Sequence, residues 1–459
     1  MENSITRTRP LKKWKLFLYV LPLITGVLFL FHYLPFSLVE LVVAALLIIP
    51  VAFYMIDKPR LVFYVLIVII FSNIDVFAPF RIYRYFLVFF LASFMLAWAR
   101  GKKPVLHDRV YAFIVAAFIV AAFQSIVAAA DIGSSLHRMG LFLKAVLVLA
   151  ITIQFVKDRR DFRNLLFVVA LGIALSDFLP FVIKPPTRFA SLSMVWSEGV
   201  FRYEGFVFEP NTFAMFQIFF IPILLFVFAY FKKRTLVRIV VVAALVASVF
   251  TLIMSFSRGG FVSLAFLVIA FIVIERRNKA ILLTGLSFVV LGIILAPPVY
   301  WERIGSILTF SSNMQQDFAI VSRLQTMGVA LKLGMQHLFF GVGIENFLRS
   351  SVHYIPYTVV VHNAFLLLFA ELGLPGLVTF SALIVYNLVL IGKLMSAPGD
   401  DEANLVGRIL LVQNLAIVVN SMFIPVSYEM ITWFAFLLPS LAYYAYLGES
   451  VGRKKSLLL

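Results

Sequence analysis

The chain has no cysteine, which removes disulfides and thiolate metal sites from consideration and says nothing firm about redox compartment. It is also poor in charge: 13% of its 459 residues are Asp, Glu, Lys or Arg, against about a quarter in ordinary soluble domains, while 63% are hydrophobic. With a mean hydropathy of +1.03, that scarcity excludes a soluble domain of this length. No glycine-rich nucleotide loop, no His/Asp/Glu spacing suited to a metal, no internal repeat and no low-complexity tract is present. What the chain has instead is a succession of apolar runs near twenty residues long, rich in Phe (50 residues). Runs of that length are membrane helices.

Fourteen spans are predicted, near 16–34, 37–56, 61–77, 83–99, 110–130, 137–156, 164–183, 211–231, 235–256, 259–274, 280–297, 362–391, 405–424 and 427–447. The first is read as a span and not a cleaved signal, because it lacks a small-residue cleavage site and another span follows at once. Basic clusters fall between alternate pairs, among them Lys12-Lys13-Trp14-Lys15, Lys157/Arg159/Arg160/Arg163, Lys232-Lys233-Arg234 and Arg276-Arg277. That side carries 27 of the 39 Lys and Arg residues, and the positive-inside rule makes it cytoplasmic, with both termini there. The net charge of +17 is therefore orientation signal and attraction to lipid headgroups, and nucleic acid is not the expected partner. The other 12 cations (39 − 27) lie outward or within spans. An anionic ligand on the outward face would account for them, and so would snorkelling and pairing with nearby acids.

The whole chain, 1–459, reads as a single integral membrane domain with two long outward segments, a smaller one at 184–210 and a larger one at 298–361. Irregular backbone is tolerated only outside the hydrocarbon or inside protein, so the larger break is where chemistry is expected. Within it, Ser322 to Leu333 reads as an amphipathic helix on the outer membrane surface. Gly341-Val342-Gly343 ends the next short helix, and Asn346-Phe347 begins a turn.

Three groups of residues stand out. Arg258, in Ser257-Arg258-Gly259-Gly260, precedes a span of only 16 residues, Gly259 to Ile274, roughly 24 Å of helix against a hydrocarbon core of about 30 Å. A cation drawn below the surface marks a functional site unless it merely snorkels upward. His362 opens a stretch of 30 residues (362–391), about 45 Å of helix and too long for a simple span, and Gly373-Leu374-Pro375-Gly376 offers a break. An interfacial His is either structural or a general base. The third group is Arg202 to Asn211, where Pro210-Asn211 also serves as an ordinary helix start.

Taken together, Glu209-Pro210-Asn211-Thr212-Phe213-Ala214, Ser257-Arg258-Gly259-Gly260, Ser322-Arg323 before Gly341-Val342-Gly343 and Asn346-Phe347, and His362-Asn363 before Gly373 and Gly376 resemble the O-antigen ligase/polymerase family. These are bacterial inner-membrane glycosyltransferases. The motif-bearing part runs from about 202 to 376. The resemblance implies an all-α polytopic membrane protein of about 12–14 transmembrane helices, GT-C-like, with one large periplasmic helical loop. It implies transfer of a glycan from a polyprenyl (undecaprenyl) diphosphate donor to a hydroxyl of a lipid-linked acceptor. In a ligase that acceptor is the lipopolysaccharide core; in a polymerase it is another lipid-linked repeat unit. The residues suit that chemistry: Arg258 and Arg323 as a bidentate clamp on the diphosphate leaving group, and His362 as the base taking the acceptor proton, with inversion. Arg188, Arg202, Glu209, Asn211 and Asn363 are the supporting, substrate-binding candidates. No cofactor, metal or nucleotide is expected, since the donor already holds the bond energy. The partners expected are donor, acceptor glycolipid and membrane lipids.

The competing class is a transporter or flippase for an anionic or lipid-linked solute. It predicts inverted repeats and cations on the inner half of the bundle, neither of which is evident.

Overall fold

In the computed structural model the described residues are 54–55, 58–73, 82–99, 107–182, 194–197, 200–205, 209–231, 233–275, 279–308, 318–356 and 359–456. The chain divides into two compact units, Met1–Lys103 and Pro104–Leu459. In the first, helices α1 (Pro59–Ser72) and α2 (Ile82–Ala99) pack on each other. The predicted spans 16–34 and, but for Tyr54 and Met55, 37–56 lie outside the described residues.

The second unit runs α3 (Arg109–Ser125), α4 (Ile132–Phe155), α5 (Arg159–Val182), a hairpin of β1 (Met194–Ser197) and β2 (Val200–Tyr203), then α6 (Pro210–Tyr230), α7 (Thr235–Met254), α8 (Arg258–Glu275) and α9 (Lys279–Leu295). The long break contains α10 (Pro298–Leu308), α11 (Phe318–Gln336) and α12 (Phe347–Ser351). The chain then closes with α13 (Ala364–Met395), α14 (Asp401–Ser421) and α15 (Met430–Ser456). Among the described residues nine helices are long and apolar enough to cross a membrane, and α1, α2 and α9 carry shorter apolar runs. The chain is an all-α polytopic membrane protein. The antiparallel hairpin, pairing Met194 with Tyr203 and Val195 with Arg202, was not predicted.

Helices start earlier than hydropathy alone indicates, because acidic residues cap them. Asp131 accepts the Ser134 amide at 3.0 Å and starts α4 at Ile132, five residues before the predicted span. Asp158 accepts the Asp161 amide at 2.8 Å ahead of α5, and Asp400 the Ala403 amide at 3.0 Å ahead of α14. Each satisfies a backbone N–H that the first turn leaves without an intrahelical acceptor, a contribution of about 1 kcal/mol.

The core is the crossing of α3, α4, α13 and α15 around the fully buried Trp433. Phe118 and Phe142 meet its indole edge-on at centroid distances of 4.7 and 5.0 Å, and Phe380 stands at 6.3 Å. Such edge-to-face pairs add to the area they bury and fix one arrangement of the rings. α14 packs between α13 on one side and α6 and α8 on the other. One end of the second unit carries a set of ion pairs. There Arg159 pairs with Asp400, Arg163 with Glu402 at 2.9 Å, and Arg408 with the buried Glu275 at 3.0 Å. The starts of α6, α8 and α13 lie at the opposite end, and so does the break.

Candidate active site

Only Ser255 to Ser257 separate α7 from α8, and the reversal forces Phe256 into the left-handed region at φ +50°. A bulky side chain there stores strain of about 1–3 kcal/mol, so the surrounding contacts must hold it. They do. The Ser257 hydroxyl accepts the Gly260 amide at 3.1 Å, capping α8, and donates to Asn211 Oδ1 at 2.8 Å. Arg202 Nη2 donates to the same oxygen at 2.7 Å, and its Nε to the Ser255 carbonyl at 2.8 Å. Asn211 Nδ2 in turn donates to Glu209 Oε1 at 2.8 Å, and that carboxylate also receives the Asn211 and Thr212 amides as the cap of α6. Gly260 lets α6 come close: a Cβ there would stand 3.0 Å from the Ala214 methyl. Burial, with the neighbouring Glu209, pushes the Glu204 carboxyl above the ordinary carboxylate range.

Arg202, Glu209 and Asn211 thus direct these bonds at the protein. They build the corner that presents Arg258. The Arg258 side chain is half-buried at the first position of α8, where helix-end amides and a guanidinium together favour an anion.

Arg323 and His362 stand on a second assembly. α11 packs along the outer part of α13, with Gly334 against the Phe369 ring and Gly373 against the Leu338 carbonyl. Both pairs are offset by 35 residues (369 − 334, 373 − 338), so the two segments run parallel. Arg323 lies 11 residues before Gly334 and His362 seven before Phe369. The Arg323 and His362 side chains are half-buried. Asn363 caps α13, its Oδ1 accepting the Leu366 amide at 3.0 Å. The predicted break in this helix falls at Gly373, with φ +69° and ψ −162°.

The stretch Gly341 to Phe347 is a docking turn. Gly341 (φ +63°) and Gly343 (φ +97°) have no room for a side chain: a Cβ would stand 2.2 Å from the Glu371 carbonyl and 2.6 Å from the Ala129 methyl. Their positions let the Val342 and Gly343 amides reach the Ala370 and Glu371 carbonyls at 2.9 and 3.0 Å. Asn346 ties the turn to α4, accepting the Asp131 amide at 2.7 Å and donating to Ser135 Oγ at 2.8 Å. Arg138 forks onto Glu345 at 2.6 and 3.1 Å, and Arg349 reaches Asp131 at 2.9 Å. For Arg138 and Arg349, pairing with nearby acids is what the structure gives.

The loop from Met422 to Glu429 touches both assemblies. Phe423 abuts Gly259, where a Cβ would meet its own at 3.0 Å, and the Tyr428 hydroxyl donates to Glu371 Oε2 at 2.9 Å. Sequence reasoning passed over Glu371, Tyr428 and Glu345 and held Arg138 only as one of the 12 cations lying outward or within spans; the one further signal was a carboxylate inside the apolar run of α13. Arg188 lies outside the described residues.

Fold and site define a polytopic membrane protein whose described candidate residues lie at the end of the second unit opposite the ion pairs of Arg159, Arg163 and Arg408. Residues 243–381 match the family model described as O-Antigen ligase. That match bears out the resemblance to the O-antigen ligase/polymerase family, and it spans Arg258, Arg323 and His362. No curated protein matches the chain.

Proposed function

We propose that the protein is a membrane glycosyltransferase that moves a glycan from a polyprenyl diphosphate to a hydroxyl of a lipid-linked acceptor on the periplasmic face of the bacterial inner membrane. The observation that carries this reading is the O-antigen ligase match over 243–381, which encloses all three candidate side chains. The acceptor oxygen attacks the anomeric carbon as the bond from that carbon to the diphosphate oxygen breaks. His362 takes the acceptor proton, a contribution of about 10²–10⁴-fold. Arg258 and Arg323 bind the diphosphate and stabilise the charge that grows on it as it leaves. A single displacement inverts the anomeric centre.

The test is a deletion strain whose lipid-linked glycans are extracted and sized. Accumulated long glycan on the polyprenyl carrier identifies a ligase, and accumulated single repeat units a polymerase. Donor retained on the cytoplasmic leaflet instead contradicts the transferase and favours a flippase.

A further inference from the structure

We propose that Glu371 is a positioning residue that sets the reach of His362, through Tyr428 and the Glu345–Phe347 turn; this rests on the functional reading above. The break at Gly373 (φ +69°, ψ −162°) uncouples the outer segment Ala364–Leu372 from the spanning part of α13. Its direction is therefore not inherited from the membrane helix and must be set by what it touches. Glu371, 3% exposed, is the polar residue on which those contacts converge. Its Oε1 accepts the Phe347 amide at 3.2 Å and its Oε2 the Tyr428 hydroxyl at 2.9 Å, and the Glu345 amide also donates to the carboxylate. The Arg138 fork on Glu345, with Glu429 3.9 Å from the same guanidinium, holds the turn that supplies those amides. One carboxylate thus joins α13, the docking turn and the loop between α14 and α15. The Arg138 fork extends the link to α4.

The lever is long. His362 lies 11 residues before Gly373 (373 − 362), beyond the helical segment Ala364–Leu372, about 13 Å long at 1.5 Å per residue, and the extended Asn363. A swing of about 10° at the break displaces the imidazole by about 3 Å, and even a 1 Å misplacement of a reacting group costs about 10²-fold in rate.

Because the chain has no cysteine, spin labels placed through Leu366→Cys, on the outer segment, and Val120→Cys, on α3, report its position without background. Glu371→Gln replaces one acceptor oxygen by a donor facing donors; Tyr428→Phe removes one hydrogen bond and keeps the ring. In purified, detergent-solubilised protein we expect Glu371→Gln to shift or broaden the interlabel distance by at least about 2 Å. With unlabelled variants and a lipid-linked donor, kcat falls about 10²-fold while the donor KM stays within a few-fold. Tyr428→Phe moves both readouts in the same direction by less, and carries the test alone if Glu371→Gln does not fold. A wild-type distance distribution in the folded variants overturns the positioning role. A shifted distribution with a wild-type kcat overturns His362 as the base and leaves the transferase reading standing; no transfer by the wild-type protein overturns that reading.

Discussion

Replacing Gly373 with Ala tests how the break is held on α13. The residue sits at φ +69° and ψ −162°, a region essentially restricted to glycine, and an L-residue there is strained by about 1–3 kcal/mol. Its added Cβ would stand 2.4 Å from the Leu338 carbonyl oxygen, a backbone atom that cannot rotate aside. That same oxygen accepts the Leu374 amide at 2.7 Å, so the displacement also forfeits a hydrogen bond of about 0.5–1.5 kcal/mol. The sum is about 1.5–4.5 kcal/mol, a rise of roughly 10- to 2,000-fold in the open population of the docking turn. Hydrogen exchange at the Val342, Gly343 and Leu374 amides in the purified protein reads it directly. Gly392→Ala, on the same helix where no atom lies within 4 Å of the added Cβ, is the control and stabilises by about 0.5–1 kcal/mol. Unchanged exchange at the three amides in folded Gly373→Ala would refute the reasoning.

Arg258→Lys and Arg323→Lys are each expected to lose nearly as much transfer activity as the Ala variants, because an ammonium cannot reproduce a two-pronged contact; full activity in both lysine variants removes the clamp. Asn211→Leu removes the acceptor shared by Arg202 Nη2 and Ser257 Oγ and lowers stability by about 1–3 kcal/mol, while Asn211→Asp keeps that acceptor but sets a carboxylate oxygen against Glu209 Oε1 where Nδ2 donated, and so restores only part of it; thermal unfolding in detergent distinguishes them. The Ser134 amide and hydroxyl, helped by Arg349, hold the Asp131 carboxyl below the ordinary carboxylate range. Its stabilisation is present above the unfolded carboxylate's pKa of about 3.9 and is lost as pH falls through the lower folded value. The Ser134 amide should accordingly lose exchange protection in acid, and in Asp131→Asn that acid step should be absent.

Much of the architecture was legible because hydropathy is a local signal. The spans from Arg109 onward appear as helices, Arg258 opens α8, whose 18 residues exceed the 16 expected by including Arg258 and Glu275, and the break expected in Gly373-Leu374-Pro375-Gly376 falls on Gly373. The helix starts moved outward where Asp131, Asp158 and Asp400 cap polar first turns that a hydropathy window excludes. Asn346 looked like the start of a turn and is instead the tie to α4, whose partners Asp131 and Ser135 lie more than 200 residues away in sequence. Glu371 and Tyr428 form a pair across 57 positions. No spacing rule reaches such partners. Arg202 and Asn211 were picked for charge and position; their contacts with Ser255 and Ser257 depend on a reversal held by Phe256 at positive φ, which the residue type argues against.

The most direct test of the central claim uses purified protein in liposomes with a polyprenyl-diphosphate-linked glycan and a glycolipid acceptor, comparing wild type with His362→Gln. Glutamine matches histidine roughly in size and polarity and cannot take up the acceptor proton. With His362 as the base, the variant loses about 10²–10⁴-fold in rate with donor binding largely kept. The same assignment predicts that wild-type activity falls on the acid side, as the imidazole takes up a proton, and that this limb is missing from the variant's residual rate. Glycan transfer by His362→Gln at near wild-type rate would contradict it.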